Sequence, residues 1–384
     1  MKSRLFLATT LVLASACDSM PTSTTNDAVM TPTAVSGLQT HPNSTSTARW
    51  NRKAIALFKA RGGNPSRANT YLSLAQYQAA LAAEERKHGQ YQPSPAGAVA
   101  AASRIVLKQF YVLDGASIDA ELAAQREESP TGKERNKDFA AGETIGEEIA
   151  AAVLAFAATD NLGTTSPGTP PVGAGYWISS GAPIVRGGLG ARPFFLTSGS
   201  EIRLPPPPAF GSPEFTAALN EVRNYSDNRT ADDIALTVFW VPFSAPIFNE
   251  IATNLIDKYH STEVEAARIL AYANTAAFDA IIACFDTKFA YWFLRPTQAD
   301  PGITLAAGLP NHPSYPSAHS CETGAFEAVL ADAFPLEQEY LTEVANAASM
   351  SRIVGGLHYR FDGDGGLHLG REAARLALAR RGIE

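Results

Sequence analysis

From Trp50 onward, apolar residues recur at close to a helical period. The pattern holds in "ANTYLSLAQYQAALAAEERK" (68–87), "AVAAASRIVLKQFYVL" (98–113) and "GETIGEEIAAAVLAFAAT" (142–159). It returns in "EVEAARILAYANTAAFDAIIACF" (263–285), "AFEAVLADAF" (325–334) and "REAARLALARR" (371–381). The two-residue alternation of strands is scarce. Between Asn161 and Pro213 the helical period breaks down into glycines and prolines, with "PPPP" at 205–208. Long irregular segments of this kind in compact proteins are commonly functional or covering elements. The predicted fold is all-α, a single domain over 50–384. Bundle one runs over about 50–160, the irregular excursion over 161–213, and bundle two over about 214–384. A weak internal repeat at an offset of 201 residues sets Arg67 on Arg268, Tyr71 on Tyr272 and Lys87 on Lys288. Two readings fit it: a duplication giving two similar bundles of which only the second kept a site, or the chance likeness of Ala-rich helices.

Ahead of this domain the pattern differs. Lys2 and Arg4 precede "LFLATTLVLASA", an apolar stretch too short to span a bilayer as a mature helix, which reads as a secretory signal over 1–17. Ala14-Ser15-Ala16 is a small-x-small site that an ordinary signal peptidase could cut; with Cys17 next, the junction also resembles a bacterial lipoprotein box in which the thiol is lipidated, and this second reading is the favoured one. Residues 18–49 are rich in Ser, Thr and Pro and read as a disordered tether. The chain is expected to be exported and anchored at the cell envelope, in contact with membrane only through that lipid. The net charge of -7 argues against a nucleic-acid partner. The sequence shows no interface, so it leaves the oligomeric state open.

Chemistry concentrates in the last hundred residues. "KFAYWFLRP" carries Lys288 and Arg295, "HPSYPSAHS" carries His312, Ser317 and His319, and "SRIVGGLHYRFD" carries Arg352, His358 and Asp362. Lys288, Arg295 and Arg352 with the Ser317 hydroxyl form a donor cage suited to phosphate or a phosphate-like oxyanion. Backbone amides of the turn add donors if His319 opens a helix. His358 and Asp362, four apart, would share a helix face, the carboxylate holding one ring nitrogen protonated and leaving the other as a nucleophilic lone pair. His319 is the candidate acid/base. Cys284 and Cys321 flank the same segments. They are either a disulfide, which export permits, or two buried thiols.

In order and spacing, K-x6-R-P, P-S-x-H and S-R-x5-H-x3-D resemble the signature shared by type 2 phosphatidic acid phosphatases, bacterial class A acid phosphatases and vanadium haloperoxidases. The outer sequence, including "LPPPPAFGSPEF" and "HYRFDGDGGLHLGREAA", is similar to the soluble bacterial haloperoxidase-related branch. The resemblance implies two packed helical bundles. It implies that Lys288, Arg295, Arg352, Ser317 and the amide of Ala318 bind the oxyanion. It also implies that His358 attacks phosphorus or coordinates vanadium, that Asp362 orients it, and that His319 is the acid/base. Ala318 stands where the family usually has glycine. His312 resembles the bromoperoxidase form and is a candidate for tuning the site.

Three functions follow as expectations. The first is a phosphomonoesterase acting on a small phosphorylated substrate through a phosphohistidine, with no cofactor required. The second is a haloperoxidase that holds vanadate on His358 and uses peroxide and a halide. The third is a non-catalytic oxyanion-binding lipoprotein.

Overall fold

The computed structural model describes residues 44–86, 92–128, 134–184, 188–242, 244–380 and 382. The expected leader, Cys17 and most of the tether lie outside these residues. The order of helices is α1 (Ser46–Arg61), α2 (Pro65–Glu85), α3 (Pro95–Phe110), α4 (Gly115–Glu127), α5 (Phe139–Ala157), α6 (Pro213–Asn228), α7 (Ala231–Phe239), α8 (Ser244–Lys258), α9 (Glu263–Tyr291), α10 (Pro296–Ala299), α11 (Ala318–Ala333), α12 (Gln338–Val354) and α13 (Arg360–Arg380). The only strands among the described residues are a parallel pair of two residues each, β1 (Gln92–Pro93) and β2 (Lys137–Asp138). The all-α architecture read from the sequence is the one observed. The first helix starts at Ser46, ahead of the boundary drawn at Trp50, because Thr45 caps it and Ser46, Thr47 and Ala48 are buried.

The two bundles are copies. Asn51 donates to Thr47 O and to Gln76, 25 residues on; Asn249 donates to Ala245 O and to Asn274, also 25 residues on. This sets α1 and α2 on α8 and α9. Further along, Ser94 N–H donates to Asp138 O and Ser317 N–H to Asp362 O, at 2.9 and 2.8 Å. The short 3-10 turns Val112–Asp114 and Pro335–Glu337 also correspond. In each copy a glycine permits the tightest helix crossing: a Cβ on Gly146 of α5 would run into Ala98 O of α3, and one on Gly370 of α13 into Cys321 O of α11. Of the two readings of the sequence repeat, these paired contacts support duplication, with a corrected register. Its first helices are offset by 198 residues (Asn51 to Asn249), not 201, and the later ones by 223 (Ser94 to Ser317). A slip of three residues is nearly one helical turn, which Ala-rich helices tolerate in an alignment because each face resembles itself one turn on.

α2 and α9 pack at the centre. Thr70 Oγ1 donates to Asn274 O, and Tyr77 meets Tyr272 edge-on at 6.4 Å. α9 has the length and apolarity of a membrane span, yet it is the buried core helix of the molecule. It ends where Trp292 turns left-handed (φ 50°) and returns its amide to Lys288 O. The irregular excursion folds over the C-terminal half of α9. The amides of Phe194, Phe195 and Leu196 donate to the Asp279 carboxylate at 2.7, 2.7 and 3.1 Å, and Trp177 stacks on Trp292.

Candidate functional site

Three elements converge at the C-terminal end of α9 and the N-terminal end of α11. Pro313 and Pro316 keep "HPSYPS" out of helix, the Tyr315–Pro316 bond is cis, and Ser317 caps α11, so Ala318 is its first residue. Arg352 lies in the last turn of α12. His358 follows the Gly355–Gly356 turn and stands two residues ahead of α13. Asp362 is in the first turn of α13 and accepts from the Tyr359 amide at 3.1 Å. The pair expected on one helix face is thus split between a turn and a helix start. The contact forms all the same: His358 Nδ1 donates to Asp362 Oδ2 at 2.8 Å.

That bond leaves Nε2 of His358 as the acceptor, and Arg295 Nη1 donates to it at 2.9 Å. Burial, then the charges of Arg295 and Lys288, hold the imidazole neutral by pushing its pKa well down. Burial also raises Asp362 to about 6, against the lowering effect of the Ser314 hydroxyl and of Lys288 and Arg295. Ser314 Oγ donates to Asp362 Oδ2 at 2.5 Å. Arg295 reaches His312 twice, Nε to its carbonyl and Nη2 to its Nδ1, both at 3.0 Å. His312 therefore touches the arginine that touches His358, the place a tuning group would occupy. Arg352 donates from Nη2 to Thr237 O at 2.6 Å and from Nε to Ser351 Oγ, and Nη1 has no partner among the described residues. The Ala318 amide, at the first position of α11, is likewise unpaired within the helix. Arg352, Ala318, His319 and His358 all line one cavity of about 400 Å³.

One expectation is corrected. Lys288 does not present its ammonium to that cavity. Its Nζ donates to the carbonyls of Pro313, Ser314 and Pro316, which uses all three of its protons. Burial lowers its pKa to about 8, and three carbonyl oxygens favour the ammonium form. Lys288 shapes the turn and adds charge from behind it. Of the two readings left open for Cys284 and Cys321, the structure has the second: both are fully buried free thiols. Ala318 does not take a left-handed backbone, so it meets no penalty that glycine would avoid.

His319 Nε2 donates to Trp240 O at 2.8 Å, with Pro242 O at 3.4 Å, and Nδ1 has no partner among the described residues. Burial and the charge of Arg352 push its pKa down to about 3. The sequence did not single out Ser314, Glu322 or the carbonyls at the end of α7. Glu322 is a buried carboxylate in an Ala-rich helix, three residues after His319, and that oddity was the one available signal. His368 is exposed on α13 and His260 lies outside this cavity, while His41 and His88 fall outside the described residues.

Bundle one has a polar cavity of about 700 Å³ in the equivalent place. There Pro95 stands for Ala318, Ala96 for His319 and Glu134 for His358. Proline has no N–H to offer and a carboxylate repels an anion, so this copy lacks the amide and the two imidazoles of the second.

No protein-family model and no curated relative matches the chain in sequence. Solved structures do match in shape. A bacterial vanadium-dependent iodoperoxidase superposes with a TM-score of 0.73 at 21% identity, over 90% of this chain and 98% of that one. A bacterial vanadium-dependent chloroperoxidase superposes at 0.64 and 15% identity in its apo form, over 81% and 91% of the two chains. The holo-type chloroperoxidase structure gives 0.60 and 14%, over 86% and 93%. The chain has the fold of the superfamily that its three motifs resemble.

Proposed function

We propose that this protein is a vanadate-dependent haloperoxidase that oxidises a halide with peroxide. The observation that carries the reading is the His358 imidazole. It is buried, neutral and fixed by Asp362 in the tautomer whose Nε2 lone pair faces the guanidinium of Arg295. The likeness to haloperoxidases spans both bundles and the excursion, which supports this reading over one drawn from the catalytic motifs alone.

The residues present fit vanadate. His358 Nε2 offers a neutral nitrogen ligand once Arg295 Nη1, which donates to its lone pair in this structure, turns to the anion's oxygens. The unpaired Ala318 amide, the free Nη1 of Arg352 and the Ser317 hydroxyl offer donors, and Arg295 brings a second guanidinium. Lys288, Arg295 and Arg352 together outweigh the two buried carboxylates nearby, Asp362 and Glu322, so the cradle favours an anion. When bound, vanadate would supply the Lewis acid that makes peroxide an oxidant for halide. Overall, halide, peroxide and one proton give hypohalous acid and water. His358 holds the ligand position, Asp362 holds the ring, and His319 exchanges the proton with oxygen atoms at the cavity floor.

The same cradle supports a second reading. A neutral, oriented imidazole beside two arginines is also a nucleophile for a phosphate monoester, with phosphohistidine as the intermediate and the cations neutralising charge. One preparation separates the two. Metal-free protein is given orthovanadate, peroxide and iodide or bromide, and a second aliquot is given p-nitrophenyl phosphate without vanadate. Halide oxidation that requires vanadate and is competed by phosphate is the expected result. Ester hydrolysis without halide oxidation would establish the phosphomonoesterase instead, and oxyanion binding with neither turnover would leave a binding protein.

A further inference from the structure

The cavity over the candidate site is larger and more apolar than halide and peroxide require. Its volume of about 400 Å³ falls in the range of pockets that enclose organic ligands, roughly 300–1,000 Å³. Two helix faces form its walls. From α9 come Phe278, Ile281 and Phe285, at i, i+3 and i+7, all of them buried. From α11 come Ala318, His319 and Glu322, the last one turn beyond Ala318. Val241 and Leu309 complete the lining and reach solvent, 51% and 37% exposed. Hydrated ions gain nothing from apolar walls and an apolar mouth, whereas a molecule with apolar surface does.

One wall residue breaks the pattern. Glu322 is buried, 4% exposed, and it borders the cavity. Its Oε1 accepts from Ser66 Oγ of α2 at 2.5 Å, which ties the side chain to bundle one. A carboxylate has sites for about four hydrogen bonds, so it can also receive a donor from the cavity. An ammonium head would share the cavity with Arg352 and be repelled, while a neutral hydroxyl would not. Glu322 stands four residues from Ala318, about 6 Å along the helix axis, a distance that a hydroxyl and one or two fused rings span.

We propose that this cavity binds a hydroxy-substituted aromatic molecule, which donates its hydroxyl to Glu322 and lays its ring on the Phe278–Ile281–Phe285 face, and that the ring is halogenated there. The transfer rests on the function proposed above; the binding does not. Hypohalous acid formed at the cradle meets a ring held one helical turn away. A ring carbon gives an electron pair to the halogen, the O–X bond breaks, and the ring proton leaves with the hydroxide as water, so ArH and HOX give ArX and H2O. Donation of the hydroxyl to a carboxylate pushes electron density into the ring and favours that attack.

The test is read first without vanadate or peroxide. Vanadate-free protein is titrated by calorimetry with 2-naphthol and with 2-methoxynaphthalene, which has the same rings and no hydroxyl donor. The wild type is expected to bind one naphthol per chain and the methyl ether roughly 10-fold or more weakly, as the loss of a hydrogen bond to a charged acceptor demands. E322M keeps the volume and removes the acceptor, so it is expected to bind the two probes alike. E322Q keeps a neutral acceptor for Ser66 and for naphthol. It is expected to bind naphthol several-fold more weakly with the ether unchanged, and it decides the matter if E322M does not fold. Equal binding of the two probes by the wild type, or an unchanged preference in the variants that fold, overturns the proposal. The second arm adds vanadate, peroxide, bromide and excess methionine as a scavenger of free hypobromous acid. Bromination of naphthol that persists in the wild type and is suppressed in E322M or E322Q is expected; full suppression in the wild type overturns transfer inside the cavity. Selective naphthol binding with no halide oxidation would count against the function and leave the binding site standing.

Discussion

Single side chains at this site divide into those that face the anion and those that hold the frame, and the sequence did not distinguish them. Lys288 is the clearest case. Spacing placed it with Arg295 and Arg352, because all three are cations in order. The structure spends its three protons on backbone carbonyls of the 313–316 turn. K288M leaves three buried acceptors without donors, which is expected to destabilise the fold by about 3 kcal/mol or more, seen as a large fall in Tm. Oxyanion affinity measured on the folded fraction is expected to fall far less than in R352M. Equal losses of affinity in the two variants would return Lys288 to the anion. Ala318 makes the opposite point. Its helical backbone needs no glycine, so A318G is expected to leave activity within about 3-fold and to lower stability by up to about 1 kcal/mol, as measured by parallel assays and denaturant melts. A large gain in activity would show that the methyl group obstructs the site.

At the scale of elements, what was legible is what local chemistry dictates: helical periods, the proline-bound turn before Ser317, and the motif residues that lie close together in sequence. What was hidden depends on elements meeting from far apart. Ser314 finds Asp362 48 residues on, and Glu322 finds Ser66 256 residues back. The repeat register was misplaced by three residues because Ala-rich faces repeat each turn, whereas the Asn51–Gln76 and Asn249–Asn274 bonds that fix it become visible only once the helices pack. For the cysteines the sequence left a bridge and two thiols open; the structure has Cys284 and Cys321 as buried thiols, and burial pushes the Cys321 thiol well up, so its reactive thiolate is scarce. Alkylation in denaturant without reductant is expected to label both residues by intact mass. Labelling of both only after reduction would mean that the two helices are stapled.

Across the whole molecule, duplication explains why one candidate site sits in a two-bundle protein. Both copies build the same helix start and the same tight crossing, but in the first Pro95, Ala96 and Glu134 replace the Ala318 amide and the imidazoles of His319 and His358. The second copy keeps buried groups that cost stability, and their titration has predictable signs. Asp279 and Asp362 are each raised to about 6, so the folded protein takes up protons more readily than the unfolded chain, and stability rises as pH falls from about 6 toward 4. His319 acts the other way. Its folded pKa is about 3, so from about 6.5 down to 3 the unfolded chain binds a proton that the folded one refuses, and stability is lost as pH falls through that window. H319Q removes this one group while an amide N–H remains to face Trp240 O. The variant is expected to gain on wild type by roughly 2 kcal/mol between pH 7 and pH 4, less than full burial would give because the ring borders a cavity open to water. Urea melts of both proteins at the two pH values measure that difference directly, since the carboxyl contributions are common to both. A constant gap would mean that His319 is protonated in the folded state at pH 4, and that its nitrogen begins the reaction as an acid rather than a base.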